Sequence, residues 1–291
     1  MNEEEKLKRK KIIEQEKKII ELFEEQGTFD KDSGNNPETI PLQPDKVDYL
    51  GKKFSSKVST AVANKVAQKF INKLIKNKQL IIKEINGMDY LNSIQTGFVI
   101  TCNHFNPFDN FAVHKVIEQS VHNKKRKLYK VIREGNYTNF GGLYGYFFRH
   151  CNTLPLSSIK KTMMNFMSAV NTILKRGDMI LIYPEQSLWL DYQKPKPLKN
   201  GAFKFAVNNN VPVLPIFITF EDSNVIIDDE PVKEYTINIL PPIYPDEKFN
   251  SRENVEIMKK ENFRLWKETY ELKYNRKLEY TTKTNLEFLN D

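Results

Sequence analysis

Residues 97–109 of the chain read GFVITCNHFNPFD. The run Phe98–Cys102 is apolar and β-branched, which predicts a buried strand. Asn106 followed by Pro107 is a favourable helix start, because Asn caps a helix well and Pro fits its first turn. A strand that leads through a short polar connection into a helix is the repeating unit of α/β folds.

The chain repeats this alternation from residue 80 onward. Short β-branched runs predict strands over 80–85, 97–102, 128–132, 153–156, 179–183, 211–220 and 235–240. Helical periodicity predicts helices over 107–120, 139–149, 158–176, 200–208 and 252–274. Strands that alternate with helices form sheets covered on both faces. We therefore predict an α/β domain over residues 80–291, with a mixed, largely parallel sheet.

Two further helices are predicted in residues 1–79, ahead of this domain. Residues 4–26 are mostly Glu and Lys with a partial apolar stripe, which indicates a charged helix. In residues 55–77, apolar residues recur at four-residue spacing and form one apolar face. Residues 1–79 are therefore predicted to be a separate N-terminal segment of charged and amphipathic helices.

The positive charge of the chain is concentrated in one segment. The net charge is +8, and residues 51–79 contain eight lysines and no acidic residue, so the remaining chain is neutral. One basic amphipathic segment fits an anionic membrane surface, whereas a general basic surface would suggest nucleic acid. We predict that Lys65, Lys69, Phe70 and Lys73 bind the membrane. The alternative is that the apolar face packs on the core.

His104 and Asp109 are the candidate catalytic pair. They flank a connection between a strand and a helix, where α/β proteins often place functional groups. Asp109 can reach back to the imidazole, hold its tautomer and stabilise the imidazolium, while His104 acts as general base on a hydroxyl. The alternative is that Asp109 is only a helix-start carboxylate favoured by the helix dipole, and His104 only a polar strand end.

Four sequence blocks make this pair more specific. Asn103-His104 with Asp109 resembles the Asn-His-x4-Asp motif of the glycerolipid acyltransferase family, best known for the lysophosphatidic acid acyltransferases. Ile182–Ser187 lies where that family carries Phe-Pro-Glu-Gly-Thr-Arg-Ser. Lys199–Ala202 resembles its Lys-Gly-Ala segment, and Val211–Ile216 resembles its proline-containing fourth motif. The blocks occur in the family's order, and the resemblance covers roughly residues 80–245.

The resemblance implies an O-acyltransferase similar to the 1-acylglycerol-3-phosphate acyltransferases of phospholipid biosynthesis. His104, oriented by Asp109, would deprotonate the acceptor hydroxyl, which attacks the thioester of an acyl-coenzyme A or acyl-carrier protein. No covalent acyl-enzyme and no further cofactor are expected. The implied substrate-binding residues are Glu185, Gln186, Ser187, Lys199 and Gly201, with Arg149 and Lys160 as additional sources of positive charge.

The sequence departs from the family pattern at two positions. Leu188 stands where the third motif supplies an Arg, and Ser157 follows the strand after which the second motif places one. Arg is the preferred bidentate ligand of phosphate, so their absence leaves the acceptor open. It is a lysophospholipid-like molecule or, alternatively, a non-phosphate or otherwise unusual acceptor. A third possibility is a non-catalytic membrane-binding protein that kept the fold.

Several other classes of protein are disfavoured. Cys102 and Cys151 match no metal or redox spacing, and no metal site is predicted. Nucleic acid is not an expected partner. The longest apolar stretches, such as Val211–Phe220, are about half as long as a membrane-spanning helix. The N-terminus opens with charge and lacks an apolar signal region. We therefore expect a cytoplasmic protein, peripheral on the inner face of the cell membrane.

Overall fold

A computed structural model describes residues 3–34 and 38–282 of the 291-residue chain. The nine last residues of the predicted main domain, 283–291, lie outside the described part. Seven strands form one sheet in the order β1-β7-β6-β2-β5-β3-β4. They are β1 Ile81–Asn86, β2 Phe98–Cys102, β3 Leu128–Ile132, β4 Thr153–Pro155, β5 Met179–Ile182, β6 Val213–Ile227 and β7 Glu230–Ile239.

The sheet is largely parallel. Every neighbouring pair runs parallel except β6 and β7, which form an antiparallel hairpin. The helices are α1 Glu3–Gln26, α2 Phe54–Lys76, α3 Met88–Ser93, α4 Asp109–Gln119, α5 Glu134–Thr138, α6 Gly142–His150, α7 Lys160–Lys175, α8 Gly201–Asn208 and α9 Ser251–Tyr274. The predicted fold class is confirmed: a mixed, mostly parallel sheet flanked by helices, with helices at the N-terminal end.

Each face of the sheet has its own core. Along β2 and β5, residues Phe98, Ile100 and Leu181 face α2, α3 and α4, whereas Val99 and Ile180 face α7, α8 and α9. Successive side chains of a strand point to opposite faces, so strands buried on both sides are continuously apolar. Both strands are entirely buried, which explains why the runs at 98–102 and 179–182 are apolar except for Thr101.

The centre of the sheet positions the loops that follow β2 and β5. The two strands pair in parallel, with Thr101 opposite Ile182. Their carboxyl ends therefore reach the same edge of the sheet, and the segments that begin at Asn103 and Tyr183 emerge side by side. Crevices at the carboxyl ends of parallel strands are the usual binding sites of open α/β sheets.

The structure differs from the predicted elements at several boundaries. The hairpin of β6 and β7 extends beyond the predicted strands into a ribbon at residues 221–234, and the side chains of residues 221–227 alternate between half-buried and exposed. The helix after His104 begins at Asp109 rather than Pro107. Asn106 still stabilises its start, since its side-chain oxygen accepts a hydrogen bond from the backbone N–H of Phe108.

Helix α1 is held mainly at its C-terminal end. The buried carboxylate of Glu24 accepts hydrogen bonds from the Nζ of Lys194 at 2.6 Å, the hydroxyl of Tyr192 at 2.8 Å and the backbone N–H of Thr281 at 2.8 Å. Its N-terminal half is largely exposed and forms ion pairs with the β6–β7 turn through Lys6 and Arg9. Helix α1 therefore runs from the β6–β7 turn to the segments that contain Tyr192 and Thr281.

Helix α2 divides its apolar residues between two environments. Ala63, Ile71 and Leu74 are buried against the protein, and the ring of Phe70 packs on Phe111, Tyr144 and Phe147 with ring centroids about 6 Å apart. A second row at four-residue spacing remains exposed; it consists of Phe54, Val58, Val62 and Val66. Helix α2 thus has one packed face and one exposed apolar row.

Candidate active site

His104 and Asp109 form a direct pair at the carboxyl end of β2. The imidazole Nδ1 of His104 lies 2.7 Å from Oδ2 of Asp109. The same carboxylate oxygen accepts longer hydrogen bonds from the backbone N–H groups of Phe105 and Asn106, at 3.3 and 3.4 Å. The Asp109 side chain is fully buried, whereas that of His104 is 25% exposed. This geometry fixes the Nδ1–H tautomer and leaves Nε2 free to accept a proton.

Tyr183 contacts both members of this pair, although the sequence patterns had indicated no role for it. Its hydroxyl donates a hydrogen bond to Oδ1 of Asp109 at 2.6 Å, and its ring stacks on the imidazole of His104 at a centroid distance of 4.0 Å. Burial and the neighbouring Asp109 charge raise the pKa of Tyr183 well above its ordinary value, so the phenol remains a donor. Its position directly after β5, next to β2, is the feature that could have indicated it.

Glu185 is buried beneath the loop of residues 103–108, which carries His104. Its Oε2 accepts the backbone N–H of His104 at 2.9 Å, and its Oε1 accepts the backbone N–H of Lys196 at 2.8 Å. The Lys196 Nζ lies 3.4 Å from Oε2 of Glu185 and donates to the carbonyl of Ser187 at 2.8 Å and to that of His104 at 3.4 Å. The two side chains thus hold both backbone groups of His104. Glu185 faces the protein interior instead of an open acceptor site.

The remaining residues of the second block contact residues 29–33, which we call the strap. The hydroxyl of Ser187 donates to the carbonyl of Phe29 at 2.6 Å and is fully buried. The Asp32 carboxylate accepts the backbone N–H of Leu188 at 2.7 Å and pairs with Arg133, which also donates to the carbonyl of Gln186. Gln186 itself has an exposed side chain and a positive φ of 62°. The strap therefore covers the segment expected to bind the acceptor.

The other predicted substrate-binding residues lie in different surroundings. The Nζ of Lys199 pairs with the strap carboxylate of Asp30 at 3.1 Å, and Gly201 is the first residue of α8 with open space above its Cα. Arg149 donates to the carbonyl of Phe140 at 2.9 Å, at the connection between α5 and α6. Lys160 is exposed at the start of α7. Lys199 and Glu185 thus lie on the same loop, between β5 and α8. Arg149 instead holds the connection between α5 and α6.

A groove of about 420 Å³ lies between α1 and the loop of residues 103–108. Its inner wall is formed by Pro107, Leu188 and Leu190, and its outer wall includes Ile12 and Ile13 of α1. Leu188, which stands in place of the family's Arg, therefore gives this wall an apolar surface. The groove reaches the loop that carries His104.

The proposed membrane residues occupy two faces of α2. Lys65, Lys69 and Lys73 are exposed, in keeping with contact to an external surface. Phe70 turns its ring toward α4 and α6, so it packs on the protein. The exposed apolar residues of α2 are the row from Phe54 to Val66 and Ile75, and Leu143 and Tyr144 of α6 are exposed as well. In the described residues, no helix is long and apolar enough to cross a bilayer.

Metal ligands are not clustered in the described ranges. Residues 3–34 and 38–282 contain no group of three or more His, Cys, Asp or Glu side chains that could hold a metal ion. Both cysteines are free and buried, and burial raises the thiol pKa values of Cys102 and Cys151.

Comparison with known proteins gives two findings. Residues 82–219 match the Acyltransferase family, and this span contains all four sequence blocks. The crystal structure of the 1-acyl-sn-glycerophosphate (LPA) acyltransferase PlsC from Thermotoga maritima is similar over 79% of this chain and 87% of that chain, with 17% identity and a TM-score of 0.46. No curated protein sequence matches the chain.

Proposed function

Because residues 82–219 belong to the acyltransferase family, we propose that the protein moves a fatty acyl group from a thioester donor to a hydroxyl of a lysophospholipid-like acceptor. The donor is an acyl-coenzyme A or an acyl-carrier protein. The observation that carries this proposal is the contact of 2.7 Å between His104 and the buried carboxylate of Asp109. An orienting carboxylate on Nδ1 and a partly exposed imidazole are the elements of a general base.

The proposed reaction needs one proton acceptor and no covalent intermediate on the protein. Nε2 of His104 takes the proton of the acceptor hydroxyl while the oxygen attacks the thioester carbon. Asp109 stabilises the imidazolium that forms. The C–S bond then breaks, and the imidazolium returns the proton to the departing thiolate. The products are the acyl ester and the free thiol of the donor, so His104 ends the cycle neutral.

We propose different roles for the residues around this pair. The contacts of Glu185 and Lys196 support a role in holding the main chain of His104, since both groups are buried. Lys199 and Gly201 remain candidates for acceptor binding because both are accessible at the start of α8. Arg149 already donates to the carbonyl of Phe140, and Lys160 is exposed at the start of α7.

A second candidate is the same transfer to an acceptor without a phosphate. Two partly exposed cations beside the second block are already paired: Arg133 with Asp32, and Lys199 with Asp30. The groove wall beside the loop of residues 103–108 carries Leu188 instead of a cation. These contacts favour a neutral acceptor head, because a phosphate would have to displace carboxylates from both partners.

We further propose that the protein acts as a peripheral protein on the inner face of the cell membrane. The exposed apolar row of α2 lies on the helix that carries Lys65, Lys69 and Lys73. Apolar side chains can enter the interfacial region while lysines reach lipid phosphates. A substrate with an acyl chain would then reach His104 from the membrane.

The test of the proposed function is the His104→Ala variant. Thiol release from palmitoyl-coenzyme A is measured with lysophosphatidate, lysophosphatidylcholine and monoacylglycerol as acceptors. Loss of a general base should lower the rate about 100- to 10,000-fold. The matched control is His122→Ala, which removes an exposed histidine and should retain the rate. Wild-type rates in His104→Ala, with circular dichroism unchanged, would overturn the mechanism; a preference for lysophosphatidate would overturn the neutral acceptor.

A further inference from the structure

We propose that Tyr183 is a positioning residue that sets the geometry and the basicity of the His104–Asp109 pair. This inference rests on the proposed function of that pair. Tyr183 contacts both members: its hydroxyl is 2.6 Å from Oδ1 of Asp109, and its ring lies at 20° to the imidazole plane, 4.0 Å away. In the family pattern that this block resembles, a Phe stands at the same place, so this chain adds a hydroxyl at that position.

The hydroxyl determines which oxygen of Asp109 is available to His104. Oδ1 is occupied by Tyr183, while Oδ2 faces the imidazole Nδ1. A carboxylate held at both oxygens cannot rotate about its last torsion without breaking one of the two bonds. The Tyr183 hydrogen bond therefore fixes the plane of the carboxylate and, through Oδ2, the direction in which Nδ1 points.

The ring determines the tilt of the imidazole. Stacking against the flat, partly buried phenol restricts rotation of the His104 ring about its long axis. The stack also places the electron-rich face of the phenol beside a ring that becomes a cation during the reaction, an arrangement that stabilises positive charge. The two contacts thus act on separate properties: the hydroxyl on the carboxylate, the ring on the imidazole.

The hydroxyl also moderates the charge of Asp109. This carboxylate is fully buried, and a donor on Oδ1 takes up part of its negative charge. Without that donor, more of the charge is directed at His104, and the imidazolium becomes more stable. A base that holds its proton too strongly is protonated over a wider range of acidic pH, so removal of the hydroxyl should move the acid limb of the rate profile to higher pH.

Ordinary core packing accounts for the ring of Tyr183 but not for its hydroxyl. The ring is packed against the core cluster beside α4, a role that Phe would fill equally well. The comparison to make is therefore Tyr183→Phe, which keeps the ring and removes only the hydrogen bond. The matched control is Tyr49→Phe, because the buried Tyr49 hydroxyl also donates one hydrogen bond, to the carbonyl of Pro155 at 2.8 Å.

The experiment measures kcat, KM and the pH–rate profile with palmitoyl-coenzyme A and the acceptor that gives the highest wild-type rate. Loss of a hydrogen bond to a charged group should lower kcat about 10- to 100-fold in Tyr183→Phe, with KM for the donor unchanged. The acid limb should move to higher pH. Tyr49→Phe should match the wild type in kcat and in its profile. In an Asp109→Asn background, removal of the Tyr183 hydroxyl should have little further effect, because the two groups act through one bond.

A second readout does not depend on turnover. The chain has four histidines, so long-range proton–nitrogen correlation spectra of the labelled protein contain four imidazoles, and His104→Ala identifies one of them. The Nδ1–H of His104 should give one sharp resonance in the wild type and a shifted, broadened one in Tyr183→Phe, because the Asp109 carboxylate is then free to rotate. Wild-type kcat, profile and Nδ1–H resonance in that variant would overturn the role of Tyr183 while His104→Ala stays inactive. Full activity of His104→Ala would instead overturn the proposed function itself.

Discussion

The buried pair of Glu185 and Lys196 provides a sharp prediction on stability. Both side chains are 1% exposed, and Nζ lies 3.4 Å from Oε2. In Glu185→Gln, Lys196 loses its counter-charge and must either keep an unpaired buried cation or release its proton. Releasing it at pH 7 costs about 5 kcal/mol, because each pH unit below the ordinary pKa of 10.5 costs about 1.4 kcal/mol. Breaking a buried pair typically costs about 3–5 kcal/mol, in agreement with this upper limit.

Removal of the cation should cost less. In Lys196→Met, Glu185 keeps its two backbone donors, the N–H groups of His104 and of residue 196. A carboxylate that accepts backbone hydrogen bonds tolerates burial better than a lone ammonium does, so we expect a loss of about 2 kcal/mol. The double variant Glu185→Gln/Lys196→Met contains no buried charge and should be more stable than Glu185→Gln alone by about 1–3 kcal/mol.

Urea unfolding gives these free energies, with the fluorescence of Trp189 as a local probe because the Lys196 Nζ lies 5.1 Å from the centre of its ring. Burial lowers the pKa of Lys196, although Glu185 opposes this effect. In Glu185→Gln the unfolded chain therefore binds more protons than the folded one, and its stability should rise by about 1.4 kcal/mol per pH unit between pH 7 and 9. A loss below 1 kcal/mol, or a stability independent of pH, would refute this reasoning.

Three further predictions concern the surface. Val58→Asp/Val62→Asp should abolish flotation with anionic vesicles, whereas Val121→Asp, at a more exposed valine outside α2, should not. Equal binding by the wild type and both variants would contradict the membrane role of α2. Partial burial opposes ionisation of Glu118, but His114, 3.2 Å away, and the hydrogen bond from Lys115 lower its pKa to about 2. Its contribution is present above about pH 4.5 and is lost as the pH falls toward 2, so Glu118→Gln should remove about 1 kcal/mol of acid-sensitive stability in thermal melts, after allowance for solvent screening. Asp30→Asn should lower KM for lysophosphatidate but not for monoacylglycerol if Lys199 binds phosphate, and an unchanged KM ratio would remove Lys199 from that role.

The elements of the sheet core could be predicted because their sequence is dictated by burial. Strands β2 and β5 are covered on both faces, so every residue except Thr101 is apolar and the runs stand out. The outer part of the β6–β7 hairpin could not be found in this way. Its residues 221–227 include Glu221, Asp222 and Asn224, because one side of the ribbon faces solvent and the antiparallel partner, rather than a core, holds it.

In the candidate site, too, local contacts could be predicted from the sequence and long-range contacts could not. His104 and Asp109 are five residues apart, so their contact follows from one strand, one turn and one helix start. Tyr183 joins them only because β5 lies beside β2, and strand order is not encoded in local periodicity. The strap contacts Ser187 and Lys199 across more than 150 residues of sequence, so residues expected to face the acceptor are instead engaged within the chain.

The arrangement around His104 suits a general base that works between two separately bound substrates. Such a base gains its effect from orientation, since a reacting group displaced by about 1 Å can lose two orders of magnitude in rate. Here the main-chain N–H and carbonyl of His104 contact Glu185 and Lys196, Nδ1 contacts Asp109, and one ring face contacts Tyr183. Nε2 is the ring nitrogen that these contacts leave open. A proton can therefore enter and leave the proposed base from one direction, which is the side from which both the acceptor hydroxyl and the thioester must approach.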